Sequence, residues 1–227
     1  MTLAPHDFWQ QIFAPGSYAT GSGTVHTHHY PATLPDGRQI LLPIRVLPGD
    51  GTQAVASLIV NQASFVVHDA LVEGMAALWA DAKADVVIGV PTLGLTLATS
   101  LARRFGHARM VALGTSRKFW YDEALSEPLK SITTPGGGKD IYLDPRMLPL
   151  LQGRRVLLVD DVVSSGSSLA AVLRLLDKAG IAPVGVAVAM EQGTKWRQTV
   201  PGPERVKGVF ATPILRAVDG GFVNDAA

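Results

Sequence analysis

Short apolar runs and amphipathic segments alternate along the middle of the chain. Runs rich in valine, leucine and isoleucine are typical of strands buried on both faces of a parallel sheet, and they predict strands at 86–90, 109–113, 156–159 and 184–190. Between them, apolar residues recur three and four positions apart, which predicts helices at 64–83, 95–105 and 168–179. Strands that alternate with helices predict an α/β fold with a doubly wound parallel sheet.

The two ends of the chain carry a different pattern. Turn residues at 34–37 separate the runs 28–33 and 38–46, which predicts a β-hairpin. The alternation of strands and helices therefore does not extend to either end of the chain.

Composition narrows the classes of function. The 227 residues include 20 basic and 19 acidic side chains, and the net charge of +1 favours neither nucleic acid nor a membrane as partner. There is no cysteine, which excludes disulfides, thiolate nucleophiles and cysteine-based metal sites. The N-terminal residues lack the pattern of a signal peptide, and no apolar run reaches membrane-spanning length. We therefore expect a cytoplasmic protein.

The most informative segment is V-L-L-V-D-D-V-V-S-S-G-S-S-L at 156–169. Asp160 and Asp161 follow an apolar run, so we expect them at the carboxyl end of a strand, where ligands bind in open α/β sheets. There they can accept hydrogen bonds from vicinal hydroxyls or hold a hydrated Mg²⁺. Small residues at 164–168 let a phosphate approach backbone amides at a helix start. The simpler alternative is that the acids cap a strand and the serines begin a helix.

This segment resembles the ribose-phosphate loop of type I phosphoribosyltransferases of the adenine/xanthine-type branch. The resemblance implies that Asp160 and Asp161 meet the ribose hydroxyls of 5-phosphoribosyl 1-diphosphate. It also implies Mg²⁺ as cofactor, held mainly by ligand oxygens with no dedicated protein ligand. The residues implied to hold the 5′-phosphate are Val163, Ser164, Ser165, Gly166, Ser167 and Ser168.

The resemblance covers roughly residues 61–192, which we expect to form the α/β core. It also implies that an N-terminal hairpin or hood element at 1–60 and a C-terminal hood or tail at 193–227 form a small hood above the parallel sheet.

A second segment, between a predicted strand and a predicted helix, resembles the pyrophosphate loop of the same family. Its backbone amides could face the same crevice as the two aspartates. An ordinary turn between a strand and a helix is the alternative. The residues concerned are Pro91, Thr92, Leu93 and Gly94.

Arg117 and Lys118 stand in the long connection 115–140 and resemble the basic pair of a mobile catalytic loop in the family. Cations there would offset the charge of a departing pyrophosphate, and a closed loop would exclude water. A solvated basic patch is the alternative. The family loop often reaches the partner subunit's site, which implies a homodimer, and the glycines at 136–138 could serve as its hinge or form a disordered tip.

Recognition of the base rests on fewer residues. Asn61 resembles an asparagine that meets the base in xanthine-type members, and Gln192 stands where those members have a lysine. A neutral amide does not reproduce a cationic donor, which argues against xanthine itself. Phe65 is a candidate to stack on the base, together with Phe119, Trp120 and Trp196, although such aromatics are more often core or interface residues.

The histidines at 26, 28 and 29 raise the possibility of a metal site, since imidazoles are frequent ligands. No carboxylate accompanies them, so a polar strand edge is the preferred interpretation.

The resulting hypothesis is a Mg²⁺-dependent phosphoribosyltransferase that joins a nitrogenous base, a purine, to 5-phosphoribosyl 1-diphosphate and releases pyrophosphate. The alternative is a non-enzymatic regulatory protein of the same fold that binds a phosphoribosyl ligand or a purine. Regulators of that kind are expected to carry a helix-turn-helix, whereas residues 1–55 have a strand-like pattern with few basic residues.

Overall fold

The computed structural model describes residues 3–21, 23–129 and 139–224. The glycines at 136–138 lie outside these ranges. The strands are β1 (His29–Thr33), β2 (Gln39–Val46), β3 (Gln53–Ala56), β4 (Val86–Gly89), β5 (Val111–Ala112), β6 (Ser126–Leu129), β7 (Lys139–Tyr142), β8 (Val156–Val163), β9 (Gly185–Gln192), β10 (Val206–Thr212), β11 (Ile214–Val218) and β12 (Gly221–Asn224). The α-helices are α1 (Phe65–Leu78), α2 (Gly94–Arg104), α3 (Leu148–Leu151), α4 (Ser167–Lys178) and α5 (Trp196–Thr199). None of these described helices is long and apolar enough to cross a membrane.

A five-stranded parallel sheet forms the centre of the protein, in the order β10-β9-β8-β4-β5. The chain begins this sheet at β4, adds β5 on one side, and then crosses to β8 on the other side. It continues outward through β9 and β10. Because the direction of growth reverses between β4 and β8, a crevice opens there at the carboxyl ends of the strands. The predicted doubly wound α/β fold is confirmed.

Alternation along the central strands divides the core into two apolar layers. In β8, Leu157 and Val159 belong to one layer, and Val156 and Leu158 belong to the other. Successive side chains of a strand point to opposite faces, so each layer receives every second residue. Helices α1 and α2 cover the first face, and α4 covers the second.

An antiparallel five-stranded sheet, β1-β2-β3-β11-β12, forms the hood. β1 and β2 pair across the predicted turn, with Thr33 opposite Gln39. β3 then pairs with β11, which places Ile214 opposite Val55. The N-terminal hairpin and the C-terminal segment therefore meet in one small sheet, as the sequence predicted.

Several elements differ from the sequence-based expectation. β8 runs to Val163 instead of ending at 159, because β9 is long enough to pair with it as far as Glu191. β10 joins the parallel sheet, whereas all of 193–227 had been assigned to the hood or tail. β6 lies inside the connection 115–140 and pairs with β7, which begins at the end of this connection, although the sequence predicts no strand there. β8 and β10 depend on β9, and β6 and β7 depend on each other. The pattern within a single segment does not reveal these pairings.

Candidate active site

Asp160 and Asp161 lie at a step in the parallel sheet. β8 pairs with β4 only as far as Val159, opposite Gly89. It then continues beside β9 to Val163. The two aspartates therefore extend beyond the end of β4, at the crevice where the sheet changes direction.

The two carboxyl groups are poorly solvated and close to each other. Both residues are partly buried, and the amide of Asp161 donates to Asp160 Oδ1 at 2.9 Å. Burial raises the pKa of Asp160 well above its ordinary value, and the neighbouring charge of Asp161 raises it further. Burial also raises the pKa of Asp161. Ionising both is therefore unfavourable until a cation or hydroxyl donors reach them.

A turn of small residues leads directly from the aspartates into α4. Gly166 precedes the helix with φ 81°, a left-handed conformation that glycine adopts without a steric cost. A Cβ at Gly166 would lie 2.8 Å from Val200 Cγ2 and 3.1 Å from Trp196 Cα, so α5 leaves no room for a side chain. Ser165 Oγ and Ser167 Oγ are 2.9 Å apart. The turn thus brings hydroxyl groups and the first amides of α4 to the end of β8.

Gly94 brings the start of α2 against the acidic pair. A Cβ at Gly94 would lie 2.8 Å from Asp160 Cα and 2.9 Å from Asp160 Oδ1, so only glycine permits this approach. The loop before it, with Pro91, Thr92 and Leu93, contains a cis peptide bond between Pro91 and Thr92. These three residues do not line the cavity described next, and their predicted role as a pyrophosphate loop stays a prediction.

A cavity of about 960 Å³ lies between the hood and the carboxyl edge of the parallel sheet. Its floor includes Asp160, Asp161 and the turn 163–168, so the predicted ribose and phosphate residues face one space. The end of β9, with Met190 and Gln192, forms a side wall. The hood forms the roof, with residues of β2 and β3 and with Ile214.

Gln192 connects the core to the hood. Its side chain is buried, and Nε2 donates to the carbonyl oxygen of Ala56 in β3 at 2.7 Å. One amide donor is thus used to hold the hood, although we had predicted that this side chain recognises the base. Gln192 still lines the cavity.

Arg117 and Lys118 do not line the cavity in this structure. Arg117 Nη1 forms an ion pair with Glu123 Oε1 at 2.7 Å, and Glu123 lies in the same connection, 115–140. The neighbouring Phe119 is 96% exposed. The catalytic role of the pair stays a prediction that requires the loop to move or a second subunit to contribute it.

The structure also separates the predicted base-binding residues. Phe65 is 85% exposed at the first turn of α1 and lies outside the cavity. Asn61 Oδ1 accepts a hydrogen bond from Thr96 Oγ1 at 2.9 Å, at the start of α2 and again outside the cavity. Trp196 is fully buried in the core, which excludes it as a platform for a base.

Sequence reasoning missed the roof of the cavity. Arg45, Gln53, Val55 and Ile214 line it from the hood, and Lys195 lines it from the segment after β9. The hairpin pattern predicted that strands exist there, but which face turns towards the core depends on the pairing of β3 with β11. That pairing joins residues far apart in the chain.

A metal ion would need suitable ligands among the described residues. Within the described residues, no group of three or more His, Cys, Asp and Glu side chains could hold a metal ion. His26 packs edge-on against Tyr30, with ring centroids 5.0 Å apart, and burial lowers its pKa. The aspartate pair fits Mg²⁺, since carboxylate oxygens are ligands that this ion prefers and a cation would favour their ionised form.

The parallel sheet carries an acidic pair and a turn of small residues where the order of its strands reverses, between β4 and β8. This arrangement is typical of α/β proteins that bind ligands at the carboxyl edge of the sheet. The family model described as "phosphoribosyl transferase domain" matches residues 60–209. The chain therefore belongs to the phosphoribosyltransferase family, and the resemblance inferred from the sequence is confirmed.

Individual relatives agree with this assignment. A hypoxanthine/guanine phosphoribosyltransferase from Methanosalsum zhilinae is 34% identical over 51% of this chain and 56% of the relative. An adenine phosphoribosyltransferase from Rhodococcus jostii is 35% identical over 48% of this chain and 58% of the relative. The chain spans about half the length of the curated relatives it matches.

Solved structures show the same fold. Adenine phosphoribosyltransferase from Rhodothermus marinus aligns with a TM-score of 0.57 at 23% identity, covering 74% of this chain and 94% of the other. The enzyme from Giardia lamblia, complexed with 9-deazaadenine, aligns with a TM-score of 0.56 at 20% identity, covering 81% of this chain and 93% of the other. At such identities the likeness concerns the fold alone.

Proposed function

We propose that this protein is a Mg²⁺-dependent phosphoribosyltransferase that joins a nitrogenous base of the purine type to 5-phosphoribosyl 1-diphosphate. The observation that carries the proposal is that Asp160, Asp161 and the turn 163–168 line one cavity at the switch point of the sheet. This floor offers acceptors for two ribose hydroxyls and donors for a phosphate at the correct end of the strands.

In the proposed reaction, a nitrogen of the base forms a bond to C1 of the ribose. The bond from C1 to the pyrophosphate oxygen breaks, its electron pair leaves with pyrophosphate, and the proton of the base nitrogen passes to solvent. Asp160 and Asp161 orient the ribose, and the turn at 164–168 binds the 5′-phosphate. Core residues 61–192 together with β10 hold the donor, and the hood covers the base.

Mg²⁺, when bound with the donor, offsets the charge of the leaving pyrophosphate. Asp160 and Asp161 are the residues that would meet the ion or its water shell. Burial raises the pKa of both groups, and an adjacent cation would offset this effect by stabilising the ionised carboxylates.

The test is pyrophosphate release with 5-phosphoribosyl 1-diphosphate, Mg²⁺ and a panel of purines, pyrimidines and amide bases. Base-dependent release is expected, and Asp161→Asn should reduce it at least about a hundredfold because a ribose contact is lost. Asp177→Asn, an exposed position late in α4, is the matched control and should retain activity. Donor binding without release for any base would overturn the enzyme and favour the regulatory alternative.

We also propose that Arg117 and Lys118 act in the site of a partner subunit of a homodimer. The support is that these cations lie outside the cavity of their own chain. A mixture of the Asp161→Asn chain with a chain carrying Arg117→Ala and Lys118→Ala should then recover activity, because about a quarter of the sites in randomly mixed dimers contain no substitution. No recovery in verified mixed dimers would place the pair in its own subunit's site.

A further inference from the structure

One row of side chains crosses the roof of the cavity. In the hood, Arg45 of β2 lies opposite Val55 of β3, and Val55 lies opposite Ile214 of β11. Directly opposed residues of antiparallel strands point to the same face of a sheet, and all three line the cavity. Ala54, the neighbour of Val55, is buried in the apolar core and does not line the cavity. The register therefore aims Arg45, Val55 and Ile214 at the floor that carries the aspartates.

This row combines an apolar surface with one cation. Val55 and Ile214 offer adjacent apolar side chains suited to contact with the face of a heterocycle. Arg45 is exposed to the cavity, and within the described ranges no ion pair or hydrogen bond occupies its guanidinium. A bound ligand would remove water from this arginine. Unless the ligand carries a compensating charge, the loss of solvation would cost free energy without forming an ion pair.

Among the described residues, Lys195 is the other cation that lines the cavity, and it lies on the side of the turn 163–168. Lys195 stands immediately before α5, whose first residue Trp196 approaches the phosphate turn at Gly166. Lys195 is thus placed beside the predicted 5′-phosphate, whereas Arg45 lies on the roof. The two cations face different parts of a bound donor and acceptor.

We propose that Arg45 selects an acceptor base that carries a carboxylate, with the ring against Val55 and Ile214. A planar guanidinium binds a carboxylate through two parallel hydrogen bonds, which supplies orientation as well as charge. The carboxylate takes no part in the bond exchange at C1. This inference rests on the proposed transferase function and deepens it, since it names a substituent of the acceptor. The experiment decides which ring carries the carboxylate, a purine or another heterocycle.

The experiment compares pairs of bases that differ by one carboxylate: purine with purine-6-carboxylate, uracil with orotate, and nicotinamide with nicotinate. The carboxylated member of at least one pair should be the better acceptor by kcat/KM. Arg45→Gln should raise KM for that member about tenfold to a hundredfold, the effect of losing a charged hydrogen-bond pair. KM for 5-phosphoribosyl 1-diphosphate should change less than about twofold, and Arg45→Lys should recover part of the loss.

Arg38→Gln is the matched control, because Arg38 lies in the same hood, is paired with Asp36 at 2.7 Å and lies outside the cavity. Preference for the neutral member in every pair, or a larger effect of Arg45→Gln on the donor than on the acceptor, would overturn the inference. For bases that do not react, calorimetry measures their binding to wild type and to Arg45→Gln. Tighter binding of the carboxylated base that is lost in Arg45→Gln would support the role of Arg45. Failure of the donor to bind at all would instead overturn the proposed function.

Discussion

Asp160 occupies a position where burial opposes its own charge. Its carboxyl lies beyond the end of β4, with Gly94 against its backbone and Asp161 beside it. Such an arrangement lowers the stability of the ligand-free protein and prepares the site for a ligand that neutralises the charge, a compromise common at functional sites. Under the proposed function, the buried charge of Asp160 therefore opposes folding and serves ligand binding.

Asp160→Asn should stabilise the ligand-free protein while abolishing turnover. Because the pKa of Asp160 is raised on folding, the folded state binds the proton more tightly than the unfolded chain, and stability falls as pH rises through the raised pKa. In the Asp160→Asn variant this loss of stability with rising pH is absent, and the side-chain Oδ1 still accepts the hydrogen bond from the Asp161 amide. Thermal unfolding at pH 7.5 should show a gain of about 1 kcal/mol, shrinking towards pH 4. An equal or lower Tm at pH 7.5 would contradict the burial argument.

Gly166→Ala should destabilise the protein more than Gly180→Ala. Both glycines flank α4 with positive φ, 81° and 70°, but only at Gly166 would a Cβ meet neighbouring atoms, at 2.8 Å from Val200 Cγ2. The left-handed conformation costs both variants about 1 kcal/mol, and the contact with α5 should add about 1–3 kcal/mol to Gly166→Ala alone. Urea denaturation of the two variants measures the difference, and equal losses would show that α5 yields without cost.

At the scale of elements, side-chain bonds attach the peripheral pieces to the parallel sheet. Gln192 at the end of β9 holds β3 of the hood through the Ala56 carbonyl. Glu127 in β6 holds the β6–β7 hairpin on α4, with Oε1 at 2.8 Å from Lys178 Nζ. These bonds position elements whose local sequence does not require that location.

Glu127→Gln should loosen the β6–β7 hairpin in a pH-dependent manner. The hydrogen bond from Lys178 lowers the pKa of Glu127, with a further contribution from Arg174. A lowered pKa contributes stability that is present at neutral pH and is lost as pH falls through the folded pKa, below the ordinary glutamate range. Since both cations are half-exposed, the expected loss at pH 7 is about 1 kcal/mol.

Denaturation of the Glu127→Gln variant and wild type at pH 7 and pH 3 checks this expectation, because the difference between them should shrink at the lower pH. Glu204→Gln is the control, since its contact with Arg205 is 3.9 Å long and its side chain is 74% exposed. A loss that persists unchanged at pH 3 would point to packing instead of charge.

At the scale of the molecule, hood and core share one apolar cluster. Ile40 and Leu215 of the hood belong to the same buried group as Leu71 of α1 and Leu157 of β8. Trp9 reinforces this connection, because its Nε1 donates to the Ser57 carbonyl at 2.9 Å after β3. The hood is thus a continuation of the core, and we expect both to unfold in one cooperative transition.

Trp9→Ala should destabilise the whole molecule by about 3–5 kcal/mol, since a buried tryptophan leaves a large cavity. Trp9→Phe keeps most of the volume and removes only the donor to Ser57, so about 1–2 kcal/mol is expected. Calorimetry should show a single transition for wild type. Two separate transitions would mean that the hood folds independently of the parallel sheet.

The sequence by itself predicted the features that depend on local pattern. Apolar runs marked the central strands because both faces of a parallel strand are buried, and the turn at 34–37 marked the first hairpin because few residues favour that backbone. Asp160, Asp161 and the turn 163–168 could be proposed as one ribose-phosphate site because they are contiguous in the chain.

Only the tertiary structure decided what depends on distant partners. The continuation of β8 to Val163 required β9, and the place of β10 in the parallel sheet required the same strand. Gln192 reaches the carbonyl oxygen of Ala56, 136 positions earlier in the chain. Ile214 joins Val55 and Arg45 on the roof of the cavity only because β11 pairs with β3. A local pattern determines whether a segment becomes a strand, but the face it presents is set by the free energy of burial against partners that sequence neighbours do not encode.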